Sequence, residues 1–287
     1  MYKLNDITVI VPTTLENISK DWIIQMNNYC INGVNVILIA PPDKSSKEIK
    51  LINLSKGILV LRSKKKGQVY QRQYGYNFCK TSLILHMDDD IYFDLNSLKG
   101  LLNIFNNLPE ECCLAPKLKV GIENNICKIN LLIFLRNYFL YSSLSPKPGT
   151  IALSSFPVPY DCKKNSKSTR KVDWIAGGIS LIREKNCIKE SYFNFTGKAY
   201  CEDLFVSNKL KKNNINLYIN DSLTYETKLE SYRSLNFKEF ISYIRNDFKI
   251  RNYFRKIIKN PIVPFLLAYF YLIISFLLTK LINKNRF

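Results

Sequence analysis

The sequence predicts an α/β fold, in which a mostly parallel sheet is flanked by helices, together with a hydrophobic helix near its C-terminal end. Two patterns indicate this. Up to about residue 108, short runs rich in β-branched residues alternate with longer helix-compatible segments, as in the βαβ units of parallel sheets. Residues 262–279 carry no charge, and a helix of this length nearly matches the hydrocarbon thickness of a bilayer.

The elements of the first part are predicted from periodicity. Apolar runs predict strands at residues 7–11, 34–40, 57–61 and 83–85, and mixed or amphipathic segments predict helices at residues 15–31, 44–54, 68–80 and 94–107. Asp94 is placed to cap the fourth helix. Because crossovers between parallel strands are right-handed, the helices are expected on both faces of the sheet.

The segment from residue 109 to residue 170 has a weaker pattern. Apolar runs such as Ile129–Leu135 alternate with pieces rich in proline and serine, so loops and irregular strands are expected there. A strand-like segment follows at residues 172–182 and is interrupted by Gly177 and Gly178. Paired glycines in a strand permit a bulge or the close approach of a ligand, and a plain tight bend explains them equally well.

The composition favours an anionic partner. The chain of 287 residues has 42 Lys and Arg against 23 Asp and Glu, a formal net charge of +19. Such an excess attracts nucleic acid, anionic lipid or phosphorylated substrates without choosing among them. Eight cysteines without a CxxC pair and a single histidine, His86, disfavour a zinc site. The first residues do not resemble a secretion signal, so a reducing, cytosolic compartment is expected.

Three consecutive carboxylates stand at the end of the fourth predicted strand. Asp88, Asp89 and Asp90 follow the apolar run Leu83–Leu85. In open α/β sheets, ligands bind outside the carboxyl ends of the strands, and hard cations such as Mg²⁺ or Mn²⁺ prefer oxygen ligands. The run therefore predicts a metal-dependent site for a phosphorylated ligand, with a solvated acidic turn as the alternative.

A second acidic pair, Glu202 and Asp203, precedes an amphipathic run in which Leu204, Phe205 and Leu210 can face a core. Acids at the N-terminus of a helix are stabilised by its free N–H groups and its dipole, so capping alone explains the pair. The functional alternative is a general base held at the edge of a cleft.

These motifs, in this order over residues 5–255, resemble the family 2 glycosyltransferases, which have the GT-A fold. The matching residues are Ile7–Pro12 as the opening strand, Gly67, Arg72 and Gly75 in the helix before the acidic strand, Asp88–Asp90 as the DxD motif, Trp174–Gly178 as the acceptor-side segment, Glu202 and Asp203 as the ED motif, and Tyr243–Asn246 with Arg251 as the basic helix that follows. The resemblance implies a GT-A fold and an inverting, metal-dependent transfer of a sugar from a nucleotide-sugar.

The resemblance also implies roles for single residues. Asp88 and Asp90 would hold Mn²⁺ or Mg²⁺. Asp203 would accept the proton of the acceptor hydroxyl, with Glu202 as the second candidate for this base. The donor would contact Pro12, Thr13, Glu16, Asp43, Arg72, Asp88 and Asp89, and the acceptor would contact Trp174, Gly177 and Gly178.

Two further features of the sequence concern the nucleotide of the donor and the number of sugars that are transferred. The family's second strand commonly ends in acids that help to hold the base, whereas here Ile39–Asp43 reads Ile-Ala-Pro-Pro-Asp. The nucleotide is therefore open, and a UDP-sugar is expected. The QxxRW signature of processive synthases is absent and there is one apolar tail, so transfer of a single sugar is expected.

The resemblance implies a division of the chain. Residues 1–255 would form the glycosyltransferase domain, with residues 1–108 as the nucleotide-binding half and residues 109–255 as the acceptor-binding half. Residues 256–287 would form a basic, hydrophobic tail that attaches the protein to the cytoplasmic face of the cell membrane through residues 262–279. A true span, a helix in the interface and a helix docked on the protein all remain open. The acceptor would be a glycan or a lipid-linked molecule in the synthesis of surface polysaccharide or glycoconjugates.

Two other functions fit parts of the sequence. An Asp-x-Asp after a strand also fits the aspartyl nucleophile of haloacid-dehalogenase-like phosphatases, although that motif usually lies on the first strand and here follows the fourth. A basic, membrane-tethered protein that binds polyanions such as RNA fits the charge. The sequence has no RNP-type aromatic motif or zinc knuckle, so no nucleic-acid partner is expected.

Overall fold

Strands between residues 7 and 225 form one eight-stranded sheet. The computed structural model describes residues 1–16, 18–44, 57–119, 130–160, 168–190, 193, 195, 199–225 and 235–284. Within them the strands are β1 (Ile7–Pro12), β2 (Asn35–Ala40), β3 (Ile58–Arg62), β4 (Leu83–Met87), β5 (Cys112–Leu118), β6 (Thr169–Val172), β7 (Ile179–Arg183) and β8 (Asn216–Tyr225). Their order across the sheet is β3-β2-β1-β4-β7-β5-β8-β6.

Strand direction decides which loops meet. The β3/β2, β2/β1, β1/β4 and β5/β8 pairs are parallel, whereas β7 runs antiparallel to both β4 and β5, with Ile179 opposite Met87. The start of β7 therefore lies at the same edge of the sheet as the carboxyl ends of β1, β2, β4 and β8. We call this edge the carboxyl edge.

Seven helices accompany the sheet in the described residues. They are α1 (Lys20–Ile31), α2 (Gln68–Tyr76), α3 (Leu95–Phe105), α4 (Asn130–Tyr141), α5 (Glu202–Lys212), α6 (Phe237–Ile257) and α7 (Ile262–Lys284). Helices α1 and α3 share one core with the sheet, in which Tyr29 and Phe105 are fully buried. Helix α2 packs on the other side of β1 and β2, where Gly75 meets Ile10 and Ile39.

The predicted strands of the first 108 residues are confirmed with ends shifted by one or two residues. Helix α2 ends at Tyr76, four residues before the predicted end at Lys80. The Asp94 side chain accepts a hydrogen bond from the Ser97 N–H at 2.8 Å, which confirms it as the cap of α3. The helix predicted at residues 44–54 lies outside the described residues, except for Lys44.

The prediction of loops and irregular strands for residues 109–170 was wrong in part. Residues 112–118 form β5, which is buried up to Pro116 and shifts its register against β8 between Pro116 and Lys117, so an irregular strand is present as predicted. The apolar run from residue 130 onward, however, belongs to the helix α4, which continues to Tyr141. A short apolar run carries no periodicity that distinguishes a strand from a buried stretch of helix.

The chain divides into two compact units. Unit 1 comprises Met1–Val120 and Lys163–Thr227, and unit 2 comprises Gly121–Cys162 and Lys228–Phe287. Within unit 2, the helices α4 and α6 pack with α7. The assignment of a nucleotide-binding half and an acceptor-binding half stays a prediction.

Unit 2 contains an apolar helix of spanning length. In the part of the chain that the structure describes, Ile262–Leu281 is the segment long and apolar enough to cross a membrane by length and composition. It lies within α7, so the predicted helix at residues 262–279 is confirmed as a helix. Phe265, Ala268 and Tyr269 from its inner face are buried in a core with Phe156 and Val158.

Substitution of Gly75 by alanine should destabilise unit 1. A Cβ there would lie 2.7 Å from Ile39 Cδ1 and 2.8 Å from Ile10 Cγ2, so the helix and the sheet must move apart. We expect Gly75→Ala to lower the free energy of unfolding by about 1–3 kcal/mol in urea titrations. Gly100→Ala in α3 is the control, because its Cβ would meet Leu223 at an ordinary 3.4 Å and alanine favours helix by about 0.5–1 kcal/mol. Equal unfolding midpoints for the two variants would contradict this account of the packing.

Candidate active site

The carboxyl edge collects acidic residues from two distant segments. Asp88, Asp89 and Asp90 follow β4 directly, and Glu202 and Asp203 begin α5. The two segments are more than 110 residues apart in the chain. Strand β7 begins at this edge, with Ile179 opposite Met87, and ends at the opposite edge, with Arg183 opposite Leu83. The start of α5 lies at the carboxyl edge again, where Arg72 contacts both acidic segments.

The ends of β1, β2 and β4 are bonded to one another. Thr13 Oγ1 donates a hydrogen bond to Asp89 Oδ2 at 2.6 Å. The side-chain amide of Gln71 donates to the backbone oxygens of Thr13 at 3.0 Å and Ile39 at 2.6 Å. Each of these three side chains therefore fixes the position of a strand end. Thr13 and Asp89, two of the predicted donor contacts, lie in contact.

Arg72 joins the two acidic segments. Its guanidinium donates to Asp88 Oδ1 at 2.9 Å and forms an ion pair with Glu202 Oε1. The Arg72 and Glu202 side chains are 6% and 8% exposed, so this pair is almost wholly removed from water. We had expected Arg72 at the donor; its observed contacts make it the residue that orients Asp88 and Glu202, and a contact with the donor stays a prediction.

Asp88 has a perturbed acidity. Burial raises its pKa to about 7, and the neighbouring charges of Glu202 and Asp90 add to the increase, while Arg72 and a hydrogen bond from Gln68 at 2.9 Å act in the opposite direction. A quarter of the side chain nevertheless reaches solvent. The charged form of Asp88 is therefore costly in the metal-free protein, and a cation placed beside it would relieve that cost.

The last residue of β8, Tyr225, lies near carboxylates of both acidic segments. Tyr225 is buried, and burial together with the charges of Asp88, Asp203 and Asp90 raises the pKa of its hydroxyl. Gly178, whose carbonyl accepts the Asp88 N–H at 2.9 Å, packs against the same ring. A Cβ on Gly178 would lie 2.9 Å from Tyr225 Cε2 and 2.7 Å from Ile91 Cδ1, so only glycine fits.

The two acids of α5 have different surroundings. Glu202 is buried and its carboxylate is engaged by Arg72. Asp203 is half-buried, accepts the Leu204 N–H at 2.9 Å, and lies beside Gly177, whose Cβ would be 3.7 Å from Asp203 Cβ. Helix α5 has no side-chain cap, since Cys201 at that position is left-handed. Capping therefore accounts for neither carboxylate fully, and Asp203 is the more accessible of the two.

The carboxylates after β4 fit a divalent cation of the kind that Mg²⁺ and Mn²⁺ represent. No group of three or more acidic, His or Cys side chains forms a complete metal cage among the described residues. Mg²⁺ is usually held by one or two carboxylates together with substrate phosphates and water rather than by an all-protein cage. Asp88 and Asp90 lie close enough for their charges to couple and supply hard oxygen ligands of this kind.

The other predicted donor contacts lie on the surface around the same strand ends. Glu16, after β1, pairs with Lys44 at 3.0 Å, and Asp43, after β2, pairs with Lys66 at 3.1 Å. The Lys66 ammonium lowers the pKa of Asp43. Pro12 is buried as the last residue of β1. The Glu16 and Asp43 carboxylates are themselves exposed, and ion pairs of exposed groups contribute little to stability.

The predicted acceptor residues lie in the turn between β6 and β7. Trp174 is buried, and the next residue, Ile175, donates its N–H to Ser207 Oγ of α5 at 3.1 Å. Gly177 faces Asp203, as described above. The structure thus brings these residues together beside the start of α5, and their contact with an acceptor stays a prediction.

Sequence reasoning missed three residues that build the site. Gln68 and Gln71 lie within the helix predicted at residues 68–80, but a glutamine in a sequence does not indicate that its partner is the end of a strand far along the chain. Tyr225 ends an ordinary strand. The glycine pair was a clue that some bulky group packs nearby. It was not sufficient to predict Tyr225, because a glycine that makes room for a ring does not identify which ring occupies the space.

Comparisons with known proteins agree on the fold. No protein-family model and no curated protein matches the sequence. Among solved structures, the crystal structure of GalNAc-T7 with UDP, GalNAc and Mn²⁺ matches with a TM-score of 0.53 and 15% identity, over 83% of this chain and 47% of that chain. The chain therefore spans about half the length of GalNAc-T7.

Two other solved structures are similar at lower scores. S. aureus TarS in complex with UDP-GlcNAc gives a TM-score of 0.48 at 11% identity, over 84% of this chain and 65% of that chain. The mannosyltransferase PcManGT from Pyrobaculum calidifontis, with GDP-Man and Mn²⁺, gives 0.49 at 11% identity, over 96% and 71%. At 15% identity the likeness to GalNAc-T7 concerns the fold alone, which is an α/β sheet of the GT-A type. In this chain the sheet has eight strands and a C-terminal apolar helix follows it in the sequence.

Removal of Arg72 should destabilise the protein much more than removal of a surface cation. Arg72→Met leaves Glu202 and Asp88 without their buried counter-ion, and we expect a loss of about 3–5 kcal/mol in the free energy of unfolding. Lys185→Met, which breaks the exposed pair with Glu110, should leave the unfolding midpoint close to that of the parent protein. The double variant Arg72→Met with Glu202→Leu should recover part of the loss, by about 0.5–3 kcal/mol in a double-mutant cycle. Additive effects of the two substitutions would refute the coupling.

Proposed function

We propose that this protein is an inverting, metal-dependent glycosyltransferase, which transfers a sugar from a nucleotide-sugar to a glycan or lipid-linked acceptor. Asp88 and Asp90 follow β4, and Asp203 belongs to α5. The observation that supports the proposal most is that the Gly177–Gly178 turn touches both segments: the Gly178 carbonyl accepts the Asp88 N–H at 2.9 Å, and a Cβ on Gly177 would lie 3.7 Å from Asp203 Cβ. One pair follows a strand and suits a cation. The third carboxylate belongs to another element and is half-exposed beside it.

Asp88 and Asp90 would hold the metal and the diphosphate of the donor. A bound Mn²⁺ or Mg²⁺ supplies neutralisation of the charge that develops on the departing nucleoside diphosphate. Arg72 and Gln68 fix the Asp88 carboxylate from the inner side, which leaves its other oxygen to face the ligand. Thr13 and Asp89 would line the nucleotide side of the same pocket.

Asp203 would act as the general base. In the proposed displacement it takes the proton of the acceptor hydroxyl, the hydroxyl oxygen forms the new bond to the anomeric carbon, and the bond from that carbon to the diphosphate breaks. Glu202 is less suited, because its carboxylate already binds Arg72 in a buried position. A single displacement by the acceptor inverts the anomeric configuration.

The crystal structure of GalNAc-T7, which is 15% identical to this chain, contains UDP and Mn²⁺. These ligands support a UDP-sugar as donor and manganese as the metal. We assign residues 1–108 to donor binding and residues 109–255 to acceptor binding. The acceptor would belong to surface polysaccharide or glycoconjugate synthesis, and the protein would attach to the cytoplasmic face of the cell membrane through residues 262–279.

Separate losses of binding and of chemistry test the two acidic sites. Asp90→Ala should weaken Mn²⁺-dependent UDP binding by more than the roughly 10–100-fold that loss of an outer-shell partner costs. Asp203→Asn should keep that binding and lower turnover of the nucleotide-sugar by about 10²–10⁴-fold, the usual contribution of a general base. Isothermal titration with UDP and Mn²⁺, and turnover across a donor panel, measure the two effects.

Asp21→Asn, on the exposed first turn of α1, is the matched control and should behave as the parent in both assays. Parental turnover by Asp90→Ala and Asp203→Asn would show the site assignment to be wrong. A phosphoryl group trapped on Asp88 would favour the phosphatase alternative. Salt-dependent RNA binding without nucleotide-sugar turnover would favour the polyanion-binding alternative.

The stereochemistry of the product gives an independent check. Because one displacement inverts the anomeric carbon, an α-linked donor should give a β-linked product, read from the coupling constant of the anomeric proton by NMR. A product that retains the donor configuration would exclude the single displacement with Asp203 as base.

A further inference from the structure

Helix α7 has two faces with different surroundings. Phe265, Ala268, Tyr269, Leu272 and Phe276 are buried against the rest of unit 2. The opposite face is an exposed apolar stripe, which we call the outer face. Its residues are Ile262, Val263, Leu266, Leu267, Phe270, Ile273, Ile274, Leu277, Leu278 and Leu281. Because they recur every three or four residues, they form one continuous strip about 27 Å long.

The inner face is fixed to α6 by a buried polar network. The Tyr269 hydroxyl donates to Asp247 Oδ2, and Arg251 donates to both carboxylate oxygens of Asp247 at 2.9 and 3.1 Å. Asp247 is 2% exposed. Rotating or withdrawing α7 would leave this carboxylate and guanidinium with fewer partners in a buried position, which is costly. The outer face therefore keeps its orientation.

Helix α6 runs antiparallel beside α7 along most of its length. Phe240, near the start of α6, stacks on Phe276 near the end of α7, and Phe248 contacts Phe265 and Tyr269. Exposed side chains in the middle of α6 include Arg245 and Lys249. If α7 crossed a bilayer in this packing, α6 would carry these charges into the hydrocarbon core, where each costs several kcal/mol.

Positive charge lies where the two helices turn. Lys256 is exposed in the last turn of α6, Lys259 is exposed in the connection to α7, and Lys280 lies near the end of the outer face, before Leu281. Helix α4, which packs on α7 through stacking of Phe139 with Tyr271, exposes Ile133, Phe134 and Tyr138 as well. An apolar strip with basic residues at both ends complements a lipid surface that carries anionic headgroups.

We propose that unit 2 is a monotopic membrane-binding module, in which α7 lies parallel to an anionic lipid surface with its outer face in the interface and does not cross the bilayer. This inference rests on the membrane attachment in the proposed function and specifies its geometry. The lysines of the α6–α7 turn contact the headgroups, and the buried Asp247–Arg251–Tyr269 network holds α7 at the angle that presents the outer face.

Depth-dependent fluorescence quenching tests the orientation. Val263→Trp, Phe270→Trp and Leu281→Trp place a probe at the start, middle and end of the outer face of the full-length protein. The vesicles contain phosphatidylcholine and phosphatidylglycerol in a 3:1 ratio, with bromine on the acyl chains at a shallow or a deep position. A helix parallel to the surface puts all three probes at the same shallow depth. A spanning helix puts residue 270 deepest, and that result would overturn the proposal.

Controls separate this inference from the proposed function. Ile24→Trp, an exposed apolar position in unit 1, should show no bromine quenching, and the signal of the native Trp22 and Trp174 is subtracted with the parent protein. Lys256→Gln with Lys259→Gln should weaken binding to the anionic vesicles about fivefold per lysine. Equal binding to pure phosphatidylcholine would overturn the role of the charges.

Two further outcomes would also overturn the proposal. Absence of vesicle binding would refute the membrane attachment itself while leaving nucleotide-sugar turnover as an independent result. Phe270→Glu should abolish vesicle binding and leave turnover of soluble substrates unchanged. If Phe270→Glu instead converts a stable dimer to a monomer, measured by sedimentation, the outer face is covered by a second copy of the chain.

Discussion

The arrangement of side chains at the carboxyl edge depends on one buried guanidinium, that of Arg72, which lies between two carboxylates. Arg72 lies under the site and holds Asp88 of the segment after β4 and Glu202 at the start of α5. Without it, two negative charges from distant parts of the sequence would face each other in a poorly solvated place. Arginine suits this position because its planar guanidinium keeps its charge and offers donors in several directions. The same contact that stabilises the fold therefore sets the distance between the two halves of the site.

The antiparallel strand β7 makes this arrangement possible. In an all-parallel sheet, every strand after β4 would begin at the edge opposite the carboxyl edge. Because β7 runs back along β4, the Gly177–Gly178 turn is brought next to Asp88, and the Asp88 N–H is satisfied by the Gly178 carbonyl. The absent side chain at Gly178 makes room for the Tyr225 ring. This strand reversal therefore places the Gly177–Gly178 turn between the segment after β4 and the ring of Tyr225.

The parts of the fold that were predictable from sequence are those with local signals. β1 and β4 are buried on both faces, so they read as continuous apolar runs, and Asp94 caps α3 through residues three positions away. The pairing of Arg72 with Glu202 spans 130 residues and leaves no local pattern. α4 was mistaken for irregular structure because its apolar residues surround most of the helix and produce no clear period. The acids of the site were found because they are consecutive in the sequence and lie next to apolar runs. Thr13 and Arg72 were predicted as donor contacts but not as partners of these acids, and Gln68 and Tyr225 were not predicted.

The electrostatics of the chain and of the site point in opposite directions, and this constrains the proposed chemistry. The chain carries a net charge of +19, which draws anions toward it over distances comparable with the Debye length. At the carboxyl edge, however, an anionic diphosphate would meet Asp88, Asp90 and Asp203. The raised pKa of Asp88 already reports the cost of negative charge there. A divalent cation bound by the first two carboxylates would neutralise their charge, so metal and donor should each strengthen the binding of the other, as linkage requires. Asp203 lies on a separate helix, outside the pair that would hold this cation.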